Sequence, residues 1–246
     1  MYASIITART KSSRLPEKIL KKINKKNTSI DILIHRAKKI GYPVILATSK
    51  KSTDNDLCRY VKKNHDIIIF RGSEKNKILR WYDCFHKFKI KKACMIDGDD
   101  ICFDFKLYKK AMKTKLNSHD LIRYPEKIIT GCFMYIFKIS MIKKLKKVSK
   151  NFSDTEMIEP FIKKLKCKQK TLQVDKLYKS KNIRLTLDYS EDLVFFKKIF
   201  QKFSIVESTD KILKFLKNNK KLSKINYFRE ATFVKNQKKK ISNIIF

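Results

Sequence analysis

The sequence predicts an α/β fold: a mainly parallel sheet with helices on both faces. Three observations carry that reading. Short apolar, β-branched runs recur, as in "DIIIF" at 66–70. Amphipathic stretches of helical length alternate with them. The runs are nearly continuous in apolar residues rather than alternating, which is the pattern of strands covered on both sides.

Taken in order, the first strand is expected at 2–8 and breaks into a loop holding Arg9, Lys11, Arg14 and Lys18, with Ser12, Ser13 and Pro16 among them. A helix at 29–40 ends at Gly41, a natural C-cap. Strands follow at 43–48, 66–70 and 93–97, with helices at 54–64, 75–89 and 104–115. The second half is more mixed: strands at 119–123, 132–138, 171–174 and 184–187, helices at 139–147, 154–165, 189–201 and 208–219. The Lys- and Ser-rich stretch 143–153 is compatible with a mobile excursion. From about residue 220 the chain is basic with no clear period. The expected organisation is one domain over 1–220 and a basic C-terminal extension over 221–246.

Sixty Lys and Arg against 23 Asp and Glu give a formal net charge of +37. The excess is mostly Lys and is spread along the chain, with one cluster at Lys238 to Lys240. A nucleic-acid binder is one explanation; a solvated Lys coat in a composition rich in Ile and Asn is the preferred one. The chain is 43% hydrophobic, enough for a sizeable core. No apolar run approaches the roughly 18 residues of a membrane span, and no secretory signal is visible. Six cysteines without a CxxC pair read as reduced thiols in a cytoplasmic protein.

Only four glycines are present, at 41, 72, 98 and 131, where an average chain carries about 7%. Those retained are expected where a side chain would clash or φ must be positive. Gly72 and Gly98 follow buried strands, at the sheet edge where α/β proteins bind ligands. That edge gathers cations from the first loop and carboxylates from "DGDD". The pairing suits a polyphosphate and a divalent metal such as Mg²⁺, which bridges carboxylate to phosphate.

The residues resemble a known family. "ITARTKSSRLPEKIL" is similar to the signature loop of the cytidylyltransferases that activate acidic sugars. The nearest branch is the spore-coat polysaccharide biosynthesis protein F type; CMP-Kdo and CMP-acylneuraminate synthetases are more distant. "ILATS", "FRGSEKNKILRWY", "IDGDDICFD", "DTEMIEPFI" and "RLTLDYSEDLVFFKKIF" continue the resemblance in the family's order to about residue 200. It implies a Rossmann-like sheet of the nucleotide-diphospho-sugar transferase type. It further implies transfer of CMP from CTP to a sugar, with an acidic sugar expected, Mg²⁺ as cofactor, and a role in surface polysaccharide synthesis. Monomer and homodimer both remain open.

Carried over by motif, Arg14, Lys18 and Asp99 are the implied catalytic residues. Ala8, Arg9, Ser12 and Ser13 join Arg14 and Lys18 around the nucleotide, with Thr48, Ser73 and Arg80 from later segments. Asp99 and Asp188 are the implied metal ligands. The family's loop usually reads Leu-Pro-Gly-Lys, and here Glu17 stands in place of the Gly. Ile101 stands where a Pro is usual, and Met157 where an imidazole is common in the nearest branch.

Simpler readings stand beside these. Arg9, Arg14 and Lys18 suit an exposed basic loop. Asp97, Asp99 and Asp100 suit a turn. Glu191 and Asp192 are read as helix caps, Trp81 and Tyr82 as core, and the four histidines as packing or surface groups. A metal-dependent glycosyltransferase would use Asp97-Gly98-Asp99 instead, but it needs no triphosphate-gripping loop after its first strand.

Overall fold

In the computed structural model, which describes residues 1–244, the predicted architecture is present. The first half runs β1 (Tyr2–Thr7), α1 (Ser29–Lys38), β2 (Val44–Ser49), α2 (Asn55–Asn64), β3 (Ile68–Gly72), α3 (Lys77–Lys87), β4 (Lys92–Asp97) and α4 (Phe105–Lys113). The second half runs β5 (Leu121–Arg123), β6 (Tyr135–Lys138), α5 (Ile139–Val148), α6 (Glu159–Lys164), β7 (Gln169–Thr171), α7 (Ser190–Lys202), α8 (Thr209–Asn218), α9 (Lys220–Tyr227) and α10 (Arg229–Ser242).

The seven strands form one sheet in the order β3-β2-β1-β4-β6-β5-β7. Only β6 runs against its neighbours; the other pairings are parallel. Successive strand residues serve opposite layers. Ile6, Leu46 and Ile96 pack under α1, α4, α7 and α8 with Leu33, Leu107, Phe196 and Leu213. Ile5, Ile45 and Met95 face Trp81 of α3, Ile142 of α5 and Phe161 of α6. β1, β2 and β3 step outward in one direction, and β4 returns to the other side of β1. The chain therefore switches direction between β1 and β4, which opens a crevice at their carboxyl ends. There Thr7 lies in register with Asp97.

Local chemistry sets several boundaries. Thr28 and Asp31 make a reciprocal capping box at α1. Asp104 caps α4 by accepting from the Lys106 and Leu107 amides at 2.7 and 2.9 Å. Gly41 ends the α1 segment at φ +92°, a conformation open to a residue without Cβ.

Four expectations need correction. Residues 184–187 are buried but form no strand. The Leu185 and Leu187 amides donate to the Thr130 and Asp99 carbonyls at 2.9 and 2.8 Å; those partners lie in loops, so no ladder propagates. The helix expected at 154–165 is cut to Glu159–Lys164. Its first residues are diverted because the Thr155 hydroxyl accepts from the Ile78 amide at 2.9 Å. The stretch 143–153 is no mobile excursion: it begins inside α5, Ser149 is buried, and Phe152 packs edge-on against Phe161. Finally, the aperiodic tail folds as α9 and α10. No residue of α10 is fully buried, so its sequence carries no apolar stripe to read.

Candidate active site

The crevice is built by a close approach of β1 and β4. A Cβ on Gly98 would lie 2.7 Å from Ala8 Cβ and 3.0 Å from the Thr7 carbonyl, so the turn after β4 passes β1 only as glycine. The loop after β1 is then pinned from the other side. Asp54 Oδ1 accepts from the Thr10 amide and hydroxyl, both at 2.7 Å, while its Oδ2 takes the Ser49 amide at 3.2 Å. Burial works against that charge, yet the donors from Ser49 and Thr10 hold the Asp54 carboxyl below its usual range. Further along, Glu17 sits at φ +52°, the left-handed region that explains why a glycine is usual there.

The loop delivers two cations onto one buried carboxylate. Arg14 Nη2 donates to Asp188 Oδ1 at 2.5 Å, and Lys18 Nζ donates to the same oxygen at 2.8 Å. Lys18 also reaches Asp99 Oδ2 at 3.1 Å. Burial disfavours the charged form of Asp188, but Lys18 and Arg14 more than offset it and lower the carboxyl from its ordinary value. Beneath this layer, Arg184 is fully buried and pairs with Asp188 at 3.3 Å, Asp192 at 3.1 Å and Glu230 at 2.8 Å. Phe233 of α10 lies against the Arg184 guanidinium, 4.4 Å from ring centroid to Cζ. Asp192 also accepts from the Asp188 and Tyr189 amides at 2.8 and 2.9 Å, so it caps α7 as expected. Glu191 instead pairs with Arg229 at 2.5 Å.

The opposite wall comes from α3 and the segment before it. Lys77 Nζ donates to Asp97 Oδ1 at 2.7 Å and lies over the Trp81 ring. Arg9 donates to the Glu74 carbonyl at 2.9 Å and approaches Glu156 at 3.8 Å. Burial and the charge of Arg9 depress Arg80 to about 10; its Nη1 donates to the Ser73 carbonyl at 2.5 Å. Asp100 is buried in the turn after β4. Burial, then the charges of Asp99 and Asp97, push its carboxyl well above the usual range.

Together these groups enclose a cavity of about 420 Å³. Ala8, Arg9, Ser12, Ser13, Arg14, Lys18, Arg80 and Asp99 all line it. Asp188 does not; it lies underneath, covered by Arg14 and Lys18. Thr48 and Ser73 are not brought to the cleft. Thr48 is wholly buried in β2, and the Ser73 hydroxyl accepts from the Asn76 amide at 3.2 Å in the turn before α3. Sequence reasoning missed Lys77, Glu156 and Lys240 on the walls and Arg184 below. Lys77 and Glu156 lie within the quoted family segments, which was the available signal. Lys240 carried none, because α10 is foreign to those segments. His65 contacts Asp31 at 2.6 Å and His35 packs on His65, so both serve packing. Trp81 is core and donates from Nε1 to Thr7 Oγ1 at 2.8 Å; Tyr82 is only half-buried.

A second cavity of about 350 Å³ adjoins the first across Arg14, Lys77, Asp97 and Asp99. Tyr124, Tyr135, Met157 and Glu159 form one side, and Phe233 and Gln237 of α10 close another. The α10 segment is therefore a wall of the site, although the sequence reads as an extension there.

No three His, Cys, Asp or Glu side chains among the described residues converge as a ready metal cage. Asp99 and Asp188 nevertheless converge on a single cationic atom, Lys18 Nζ. Two carboxylates meeting at one cation fit Mg²⁺, which takes one or two protein carboxylates and completes its shell from phosphate and water.

A cytidylyltransferase family model matches residues 3–241. An uncharacterised protein of Methanocaldococcus jannaschii is 29% identical over 231 residues, 90% of this chain and 93% of that one. The spore coat polysaccharide biosynthesis protein SpsF of Bacillus subtilis is 32% identical over 102 residues, 39% of this chain and 42% of that one. A solved cytidylyltransferase from Leptospira borgpetersenii superposes with a TM-score of 0.78 at 21% identity, covering 90% of this chain and 95% of that one. CMP:2-keto-3-deoxy-manno-octonic acid synthetase, solved in complex with CTP, superposes with a TM-score of 0.62 at 13% identity, covering 82% and 99%. At those identities the two structures share the fold.

Proposed function

The chain belongs to the cytidylyltransferase family and is a nucleotidyltransferase, and from that premise we propose that it moves CMP from CTP to a hydroxyl of a sugar acceptor, releasing pyrophosphate. The observation that carries this reading is the meeting of Arg14, Lys18 and Asp99 at the β1–β4 crevice, directly beside a second recess. The name of the Bacillus subtilis relative supports a role for the product in polysaccharide assembly. Six free cysteines suit a reducing compartment such as the cytoplasm. No helix among the described residues is long and apolar enough to cross a membrane.

The acceptor hydroxyl oxygen attacks the α-phosphorus in line and gives up its proton to solvent; the bond to the β-phosphate oxygen breaks and its electron pair leaves with pyrophosphate. Little covalent work falls to the protein. Its part is positioning and charge neutralisation in a partly dry site. Arg14 and Lys18 exchange the Asp188 carboxylate for phosphate oxygens, while Arg9 and Lys77 hold the opposite wall. Ser12 and Ser13 stand in the loop that wraps the phosphates. Asp99 and Asp188 are the residues that would hold Mg²⁺. Bound there, the ion would neutralise charge on the triphosphate.

A glycosyltransferase using Asp97-Gly98-Asp99 fits less well, because Arg9, Arg14 and Lys18 of the first loop line the same cleft and a preformed nucleotide sugar needs no such triphosphate grip. Pyrophosphate release, compared across CTP, ATP, GTP and UTP with a mixed sugar pool, tests the proposal. CTP should exceed the others by at least about tenfold, or 1.4 kcal/mol. Turnover that favours a purine nucleotide would overturn it.

A further inference from the structure

We infer that Lys240, near the C-terminal end of α10, is a further phosphate-binding residue of the nucleotide cleft, held by Glu156 until nucleotide arrives. This rests on the CMP-transfer reading and adds to it a cation from outside the first loop. The half-buried side chains of α10 include Glu230, Phe233, Gln237 and Lys240, at steps of three and four that put them on one face of the helix. That face is anchored at its start. Glu230 pairs with Arg184 at 2.8 Å and accepts from the Thr130 hydroxyl at 2.7 Å, and Phe233 lies over the Arg184 guanidinium. Further along, the same face meets the two cavities in turn. Phe233 and Gln237 line the smaller recess and not the larger cleft; Lys240 lines the larger cleft and not the recess. The helix therefore delivers its one cleft-lining cation to the side where Arg9, Arg14 and Lys18 stand.

The partner of Lys240 is one that it can leave. Lys240 Nζ lies 3.5 Å from Glu156 Oε1, and Arg9 Nη2 lies 3.8 Å from Glu156 Oε2. Charge-assisted hydrogen bonds are shorter, about 2.7–2.9 Å, so one carboxylate is shared loosely between two cations. The Lys240 and Glu156 side chains are 41% and 49% exposed, and ion pairs so open to water contribute little. Arg14 and Lys77 are held differently, at 2.5 Å by buried Asp188 and at 2.7 Å by Asp97. Of the cations around the cleft, Lys240 and Arg9 thus give up their carboxylate at small cost. A phosphate oxygen carries more charge than Glu156 can offer to two partners at once, and both cations would turn to it together.

Calorimetric titrations of the full chain with CTP and Mg²⁺ test this. If CTP does not bind the parent, the CMP-transfer reading fails and the inference with it. With CTP bound by the parent, Lys240→Gln should weaken its Kd by about tenfold, the lower end of what a hydrogen bond to a charged group contributes. Lys240→Arg keeps the charge and should stay within about threefold of the parent. Lys239→Gln removes the same charge from an exposed position outside the cleft and should leave the Kd unchanged. Equal losses for the two Gln variants would show that only the summed charge of the tail matters; that overturns the inference and leaves the CMP-transfer reading standing. Cytidine, which has no phosphate, serves as a competitor of CTP, and its affinity should change less than about twofold in Lys240→Gln. A loss as large as that for CTP would place Lys240 away from the phosphates and overturn the inference as well. The exchange has its own readout. In a Glu156→Gln background no pair has to be broken, so Lys240→Gln should cost CTP binding more there than in the parent. The same loss in both backgrounds would show that Glu156 does not hold Lys240 back.

Discussion

Lys18 and Asp188 stand 170 positions apart in the chain and meet at 2.8 Å, on a carboxylate that is fully buried. The contact ties the basic loop after β1 to the segment before α7. It also makes Asp188 a structural counter-charge as much as a candidate ligand.

Asp99→Asn and Asp188→Asn should therefore separate. Asp99 is partly exposed and loses one ion pair with Lys18, so its variant should abolish turnover with little change in melting temperature. Asp188→Asn leaves Arg14, Lys18 and Arg184 facing a neutral amide in a buried layer. Breaking such a pair costs on the order of 3 kcal/mol, a fall of roughly 6–12 °C for a domain of this size. Thermal melts beside steady-state assays read both. Equal melting temperatures would remove the structural role assigned to Asp188.

Arg14→Ala and Lys18→Ala should damage the reaction far more than substrate-free folding would suggest. On the CMP-transfer reading, each removes a charge-assisted contact that strengthens as charge builds on pyrophosphate. Loss of one such donor typically costs about 3 kcal/mol, or a hundredfold in kcat. Arg14→Lys should also be poor, because an ammonium lacks the bidentate fork. Three variants with parental rates would reduce the loop to a basic surface feature.

Acid stability should carry the mark of Asp31. Burial opposes its charge, yet bonds from His65, the Thr28 amide and Tyr60 lower its carboxyl from 3.8 to about 2. A depressed carboxylate stabilises the fold above its unfolded value, and that contribution fades as pH falls from about 4 toward 2. The shift is worth about 2 kcal/mol. Denaturant titrations at pH 6 and pH 2.5 should show the parent losing more stability than Asp31→Asn. Parallel losses would contradict the assignment.

Arg184→Met should be among the most damaging single changes outside the apolar layers. It strands Asp188, Asp192 and Glu230 around a vacated guanidinium, at about 3–5 kcal/mol. Glu230→Gln keeps the shape and loses one partly exposed pair, so about 1 kcal/mol is expected. Urea midpoints for the two variants give the ratio. A mild Arg184→Met would mean that α10 is held by other contacts.

The first four strands and their helices were legible because each is specified locally, by an apolar run and a following turn. Gly98 was legible for the same reason: its scarcity in this chain points to a close approach, and Ala8 supplies it. The basic loop after β1 was legible as a motif, and so was its departure at Glu17, whose positive φ the sequence alone does not reveal. The Arg184 cluster was not legible. Its partners Asp192 and Glu230 lie 8 and 46 positions away, with no spacing rule that joins them. Residues 184–187 have strand composition and lie where only loops are available to bond. α10 failed the period test because it is held by ion pairs and one aromatic face instead of an apolar stripe.

The Arg14–Asp188 pair closes a loop of 174 positions, and that distance has a kinetic meaning. Closing so long a loop carries an entropic cost that contacts within β1 to β4 do not. A chain with only β1 to β4 assembled would carry the basic loop without its counter-carboxylate. Its cations repel one another, and the loop has nothing to fix its shape. If the chain binds CTP as proposed, protection by CTP, followed in time during refolding, is expected to appear late.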